Sequence, residues 1–273
     1  MLIAVLLVVV FGIPHGAVDH ILFMETNKAN PIRFYVFYLS LISVILGLWL
    51  AFPTLSLVFF LFLSAYHFGQ SQFSRFSNLS KASTLIIYAS WGMSILSGLA
   101  YYNYEELYQL LSSSQDLNIL LEVFQPQILF VSLLMSSLCF IVAFTYNLNA
   151  FTQKRFLIEL GLFMLIHVCF YFHSLLLGFS LYFATLHSIQ VLKEEYGFLS
   201  KKIIHFNLRS FLLKLIPYTL LSVIGIVLVL GLSHLEIIPL SKTLVIFMAV
   251  SALTLPHSMV MENFYQSKFH KAS

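Results

Sequence analysis

His15, His67, His187 and His257 fall in four separate apolar stretches of the chain. Imidazole is the commonest side-chain ligand of transition metals, and an ionisable group inside a membrane is costly enough that it faces a bundle interior or a cavity. Counted from stretch starts on one side, near residues 2, 54, 174 and 242, His15, His67 and His187 each come after 13 residues and His257 after 15. At a helical rise of about 1.5 Å per residue, all four reach a layer roughly 20 Å from that end. Four imidazoles on four helices at one depth are what an intramembrane metal site requires.

The neighbouring residues fit such a site. In Gly12-Ile13-Pro14-His15-Gly16 a proline precedes the histidine and glycines flank it. Proline removes a backbone donor and kinks membrane helices, so a bend is predicted at His15. Leu255-Pro256-His257 repeats the Pro-His pair, and Gly69 follows His67 by two residues, where another helix can approach closely. Asp19 and His20 lie one turn below His15. A carboxylate there can accept the second ring N–H of a ligating histidine and fix its tautomer, while His20 is an alternative ligand. His167 lies nearer the outer half of its helix, and His173, His205, His234 and His270 fall in loops or tails; these five are read as non-ligands. Glu159 and Glu262, near inner helix ends, are read as interfacial, and Cys139 and Cys169 as small buried hydrophobes.

These residues must be carried by membrane-spanning helices. Of 273 residues 60% are hydrophobic and 9% charged, against about 25% charged in globular domains, so the bilayer is the solvent for most of the exterior. Runs of roughly 20 apolar residues predict an all-α polytopic helix bundle of about nine spans, forming one domain over 1–273. The spans lie near 2–24, 34–52, 54–71, 83–102, 127–146, 155–172, 174–192, 211–233 and 242–264. The apolar N-terminal run lacks a basic flank and a small-residue cleavage site, so it is read as the first span rather than a signal peptide. Of the 14 Lys and Arg residues, all but Lys242 fall on one side, from Lys28 and Arg33 to Lys268 and Lys271. That asymmetry predicts an outer N-terminus and a cytoplasmic C-terminus, in a cell (inner) membrane. A net charge of +3 scattered between apolar runs offers no face for nucleic acid. No phosphate-binding glycine loop or nucleophile elbow is present.

Gly-Ile-Pro-His-Gly-Ala-Val-Asp-His at 12–20, Tyr-His-Phe-Gly at 66–69, Tyr-Phe-x-x-x-His-Ser at 182–188 and Leu-Pro-His at 255–257 follow one another in order. With these motifs the chain resembles the Brp/Blh family of bacterial and archaeal membrane β-carotene 15,15′-dioxygenases. The resemblance implies oxidative cleavage of the central double bond of β-carotene by O2, giving two retinals, at a non-haem Fe(2+) held by histidines. Its ligand positions fall on His15, His67 and His187. Members often carry a further histidine four residues after the one in the His-Ser motif, a position held here by Val191. By depth, His257 takes its place, with His20 as second choice. The partners implied are β-carotene or a related lipophilic polyene, O2, membrane lipid and, downstream, a retinal-binding rhodopsin.

Neutral imidazoles suit Fe(II); zinc fits the same ligands but has no redox chemistry. A metal or proton transporter with intramembrane histidines is the first rival, and it requires polar residues along both halves of a path. A diiron hydroxylase or desaturase requires clustered histidine boxes, of which only His15 and His20 stand close together. A non-catalytic carotenoid- or retinal-binding protein using a Schiff base requires a lysine deep in a span, and every lysine lies in a loop, in the tail or near a helix end.

Overall fold

The computed structural model describes residues 2–76, 79–113, 115–238 and 240–270. Lys271 and the side chain of His270 lie outside the described residues. Every regular element among the described residues is helical, as expected of an all-α membrane bundle.

Among the described residues, eight helices are long and apolar enough to cross a membrane. They are α1 (Leu2–Asn27), α2 (Pro31–Ala51), α4 (Lys81–Tyr102), α6 (Pro126–Tyr146), α7 (Gln153–Phe172), α8 (Leu175–Lys202), α9 (Leu208–His234) and α10 (Lys242–Lys268). The ninth expected span is the helix α3 (Pro53–Phe73), of 21 residues. Its first half is as apolar as the others, but Ser64, His67, Gln70, Ser71 and Gln72 load its second half with buried polar groups. The chain is thus a multi-pass membrane protein, with large apolar side chains such as Leu220, Leu221, Ile224 and Val227 exposed on α9 as in a lipid-facing helix. Cys139 is exposed and Cys169 half-buried, so the reading of both as buried is corrected.

Helix starts follow from local chemistry. The side chains of Asn30, Ser80, Thr152, Asn207 and Ser241 each accept a backbone N–H of the first turn that follows. This satisfies one of the amides a helix leaves unpaired. Pro31 and Pro126 open their helices, where the missing N–H costs nothing. The segment between α4 and α6, which carries Glu105, Glu106, Asp116 and Glu122, forms α5 (Tyr104–Ser112) and a 3-10 stretch over Gln115–Glu122. The Glu106 carboxylate accepts the backbone N–H of Leu175 at 2.8 Å and so caps α8.

The chain divides into two compact units. The first comprises Met1–Leu57 with Phe183–Ser273. Its apolar core joins Val18, Leu22, Phe34, Val191, Leu199, Phe211, Val260 and Phe264 from α1, α2, α8, α9 and α10. Trp49 Nε1 donates to Ser251 Oγ at 2.6 Å, tying α2 to α10.

The second unit is Val58–Tyr182. Phe73, Trp91, Phe140 and Phe163 form its aromatic centre, with ring centroids 4.9–5.4 Å apart for Trp91–Phe140, Trp91–Phe163 and Phe140–Phe163. The hydroxyl pairs Ser94–Ser137 and Ser97–Ser132, each at 2.7 Å, bind α4 to α6 without a hydrophobic driving force, as small polar residues do in membranes. His167 bonds Ser94 at 3.1 Å and its ring lies beside Phe163. Glu159 is fully buried and held by Gln72 at 2.5 Å and Arg155 at 2.6 Å, so it is a structural group of this unit rather than an interfacial one. Gly69 and Gly92 let α3 and α4 touch: a Cβ on Gly69 would lie 2.1 Å from the Tyr88 carbonyl oxygen, and one on Gly92 would lie 1.8 Å from that of Ala65.

Candidate metal centre

α1 does not pass the Pro-His motif as one regular helix. An α-helical start gives way to a π-helical turn over Val8–Gly12, then to a 3-10 turn over Ile13–Gly16, before α-helix resumes at Asp19. Pro14, which cannot donate, sits in the 3-10 turn, as the predicted bend requires. The result aims His15 into the first unit, where it is only 9% exposed. Its Nδ1–H donates to the Gly12 carbonyl, which leaves the lone pair on Nε2.

His187 also stands in a π-helical segment, Tyr182–Ser188, inside α8. Such single π turns recur at functional sites because they redirect a side chain without ending the helix. His257 sits one residue after Pro256 within α10, which continues through the proline.

These three imidazoles converge in the first unit. The His15 ring lies 5.1 Å from that of His187 and 4.7 Å from that of His257, centre to centre, nearly perpendicular to both. His187 and His257 are 2% and 5% exposed. Phe183 stacks on His187 at 5.3 Å and meets the edge of His15 at 5.4 Å, forming an apolar wall.

The flanking glycines have separate tasks. A Cβ on Gly12 would sit 2.7 Å from the Phe183 ring, so only glycine leaves room for that wall. Gly16 faces the other way, with its Cβ position 3.4 Å from His257 Nδ1 and 3.8 Å from an Asp19 oxygen.

Asp19 is 2% exposed and belongs to the site, though to a different histidine from the one its position suggested. Its Oδ1 accepts from His257 Nδ1 at 2.9 Å, whereas His15 finds its partner in its own backbone. Tyr38, on α2, donates its hydroxyl to Asp19 Oδ2 at 3.1 Å. A carboxylate behind an imidazole fixes its tautomer and raises the basicity of the far nitrogen, which is the usual support of a metal-bound histidine.

His20 points elsewhere. Its ring lies 4.2 Å from Tyr218 and 6.2 Å from Phe34, with no ring contact to the three converging histidines among the described residues. Val191, where the resembled family often has a histidine, is fully buried in the apolar core. His67 lies on α3 in the second unit, 2% exposed.

No motif in the sequence points to Tyr38. Phe183 stands inside the Tyr-Phe-x-x-x-His-Ser motif, and its stacking on His187 gives that residue its role.

Neutral imidazoles supported in this way suit a divalent first-row metal, and all-nitrogen donors leave coordination positions open for a small molecule. No curated protein and no solved structure matches the chain. Its motifs, however, belong to one continuous pattern: residues 6–265 match the family model described as beta-carotene 15,15'-dioxygenase, and the chain belongs to that family.

Proposed function

We propose that this protein cleaves the central 15,15′ double bond of β-carotene with O2 to give two retinals, at a non-haem Fe(II) held by His15, His67, His187 and His257. The observation that supports it most is the convergence of His15, His187 and His257 in one unit, with Nδ1 of His15 and of His257 already committed to Gly12 and Asp19. His67 joins the set through its motif and its matched depth in the sequence. The family supplies the substrate class.

The reaction balances without a reductant or a proton: the C15–C15′ double bond and the O–O bond break, and two C=O bonds form. Bound iron supplies the redox chemistry that lets O2 react with an alkene. The protein's own residues prepare the place for it. Gly12 and Asp19 hold two imidazoles in the tautomer that presents Nε2, Tyr38 steadies Asp19, and Phe183 backs His187 with hydrocarbon that excludes water. The substrate dissolves in the bilayer, so the apolar exterior is where it meets the protein. The cytoplasmic membrane as location, and a rhodopsin as recipient of the retinal, belong to the same proposal.

Expression in a host that makes β-carotene but no retinal tests it. The expected result is loss of the orange pigment, retinal in the extract, and neither change with His15→Ala. Persistent β-carotene, with the folded protein shown to be in the membrane, would refute the activity.

A further inference from the structure

Glu195 lies on α8 two turns beyond His187, in line with Val191 and Leu199. All three are fully buried. Val191 and Leu199 pack with Val18, Leu22, Val260 and Phe264, so this face of the helix is turned towards α1 and α10 inside the first unit. Both carboxyl oxygens of Glu195 are buried, and among the described residues neither has a hydrogen-bond partner.

The charged groups that act on Glu195 are Asp19 from α1, Glu194 from its own helix and Lys268 at the end of α10. Lys268 is engaged with Glu194, 3.5 Å from its carboxylate and with both side chains partly exposed. Asp19 is engaged with His257 and Tyr38. Glu194 is thus partly exposed at the lysine-bearing end of α8, whereas its neighbour Glu195 and Asp19 on α1, which holds His257, are buried.

Burying a carboxylate without a partner is among the most costly placements a fold can make. In a spanning helix, such a residue marks an ion site or an ion pathway. Oxygen ligands favour hard, hydrated cations and release them readily, whereas imidazole nitrogen retains Fe, Ni, Cu and Zn. A divalent ion handed from carboxyl to imidazole thus moves downhill.

We propose that Glu195 is the inner station of a loading route, taking a hydrated divalent cation from the Glu194 end of α8 and passing it by way of Asp19 to the histidines of the first unit. This rests on the metal-centre reading above. It adds a task that cleavage itself does not need: filling a centre sealed in apolar surroundings.

The test uses the full-length protein, purified and stripped of metal, mixed rapidly with Co(II) and followed by its visible absorption bands. Wild type and Glu195→Gln are expected to reach the same final spectrum and stoichiometry, with the variant at least about tenfold slower, the lower end of what loss of a supporting polar group costs a metal site. Glu195→Asp, which keeps a carboxyl group with oxygen ligands to offer, restores most of the rate, and Glu194→Gln slows it as well. Equal loading rates in wild type, Glu195→Gln and Glu194→Gln would overturn the route. A changed final spectrum in Glu195→Gln would make Glu195 a ligand or a scaffold residue, and would also overturn it. Failure of wild type to develop cobalt bands would strike the metal centre itself, a distinct outcome.

Discussion

Asp19 and His257 are separated by 238 residues of sequence, yet the Asp19 carboxylate accepts the Nδ1–H of His257 at 2.9 Å in the interior of a membrane protein. The pair joins the first and last spanning helices at the level of His15. It gives the site a support that can be removed piece by piece.

Asp19→Asn keeps the shape and takes away the charge behind the imidazole. Loss of such a partner lowers metal affinity by about 10–100-fold, so Co(II) titration of this variant should show that weakening together with altered cobalt bands. Tyr38→Phe removes one hydrogen bond to the same carboxylate and should weaken binding only about fivefold.

His257→Ala and His20→Ala separate the two candidates for the fourth ligand. The first should abolish retinal formation in the β-carotene host. The second takes away a ring that packs at a tilt against Tyr218, 4.2 Å away, and should retain most of the activity. The reverse order would exclude His257 as a ligand.

Gly12→Ala places a methyl group 2.7 Å from the Phe183 ring and forces that ring, which packs on His15 and His187, to shift. Small displacements in a site cost up to about a hundredfold in rate, so retinal formation should fall by one to two orders of magnitude. Gly16→Ala meets His257 at 3.4 Å, closer to an ordinary contact, and should cost much less. Retinal produced per amount of membrane-inserted protein measures both.

Gly69→Ala and Gly92→Ala press a methyl group against backbone, at 2.1 Å from the Tyr88 carbonyl and 1.8 Å from that of Ala65. Helices α3 and α4 must separate, which costs about 1–3 kcal/mol, and thermal unfolding in detergent should move down accordingly. Gly225→Ala and Gly231→Ala, with nothing within 4 Å, should be neutral or stabilising by up to about 1 kcal/mol.

Much of this was legible in the sequence. Apolar run length located the spanning helices, because a bilayer enforces both length and composition. Pro14 announced the break in α1, since a residue without an N–H cannot take an interior place in the helical ladder without consequence. The identity of Asp19's partner was not legible: pairing across 238 residues leaves no periodic trace, and the nearer His15 offered itself first. Glu195 was hidden for a different reason. The expected span stopped near 192, where Lys193, Glu194 and Glu195 lower the hydropathy, while α8 runs on to Lys202. An average over a window does not say which face a charged residue takes, and Glu195 takes the inner one.

The π turn of Tyr182–Ser188 carries a consequence for the history and the engineering of α8. A π turn is what one inserted residue leaves behind in an α-helix, the surplus being absorbed as a bulge. Excising a single residue from it would let the ladder close, and everything beyond would rotate by about 100°, the angle of one helical residue. His187 would leave its neighbours while the helix remained intact and membrane-spanning. One codon therefore separates a helix that presents an imidazole to the site from one that merely crosses the bilayer.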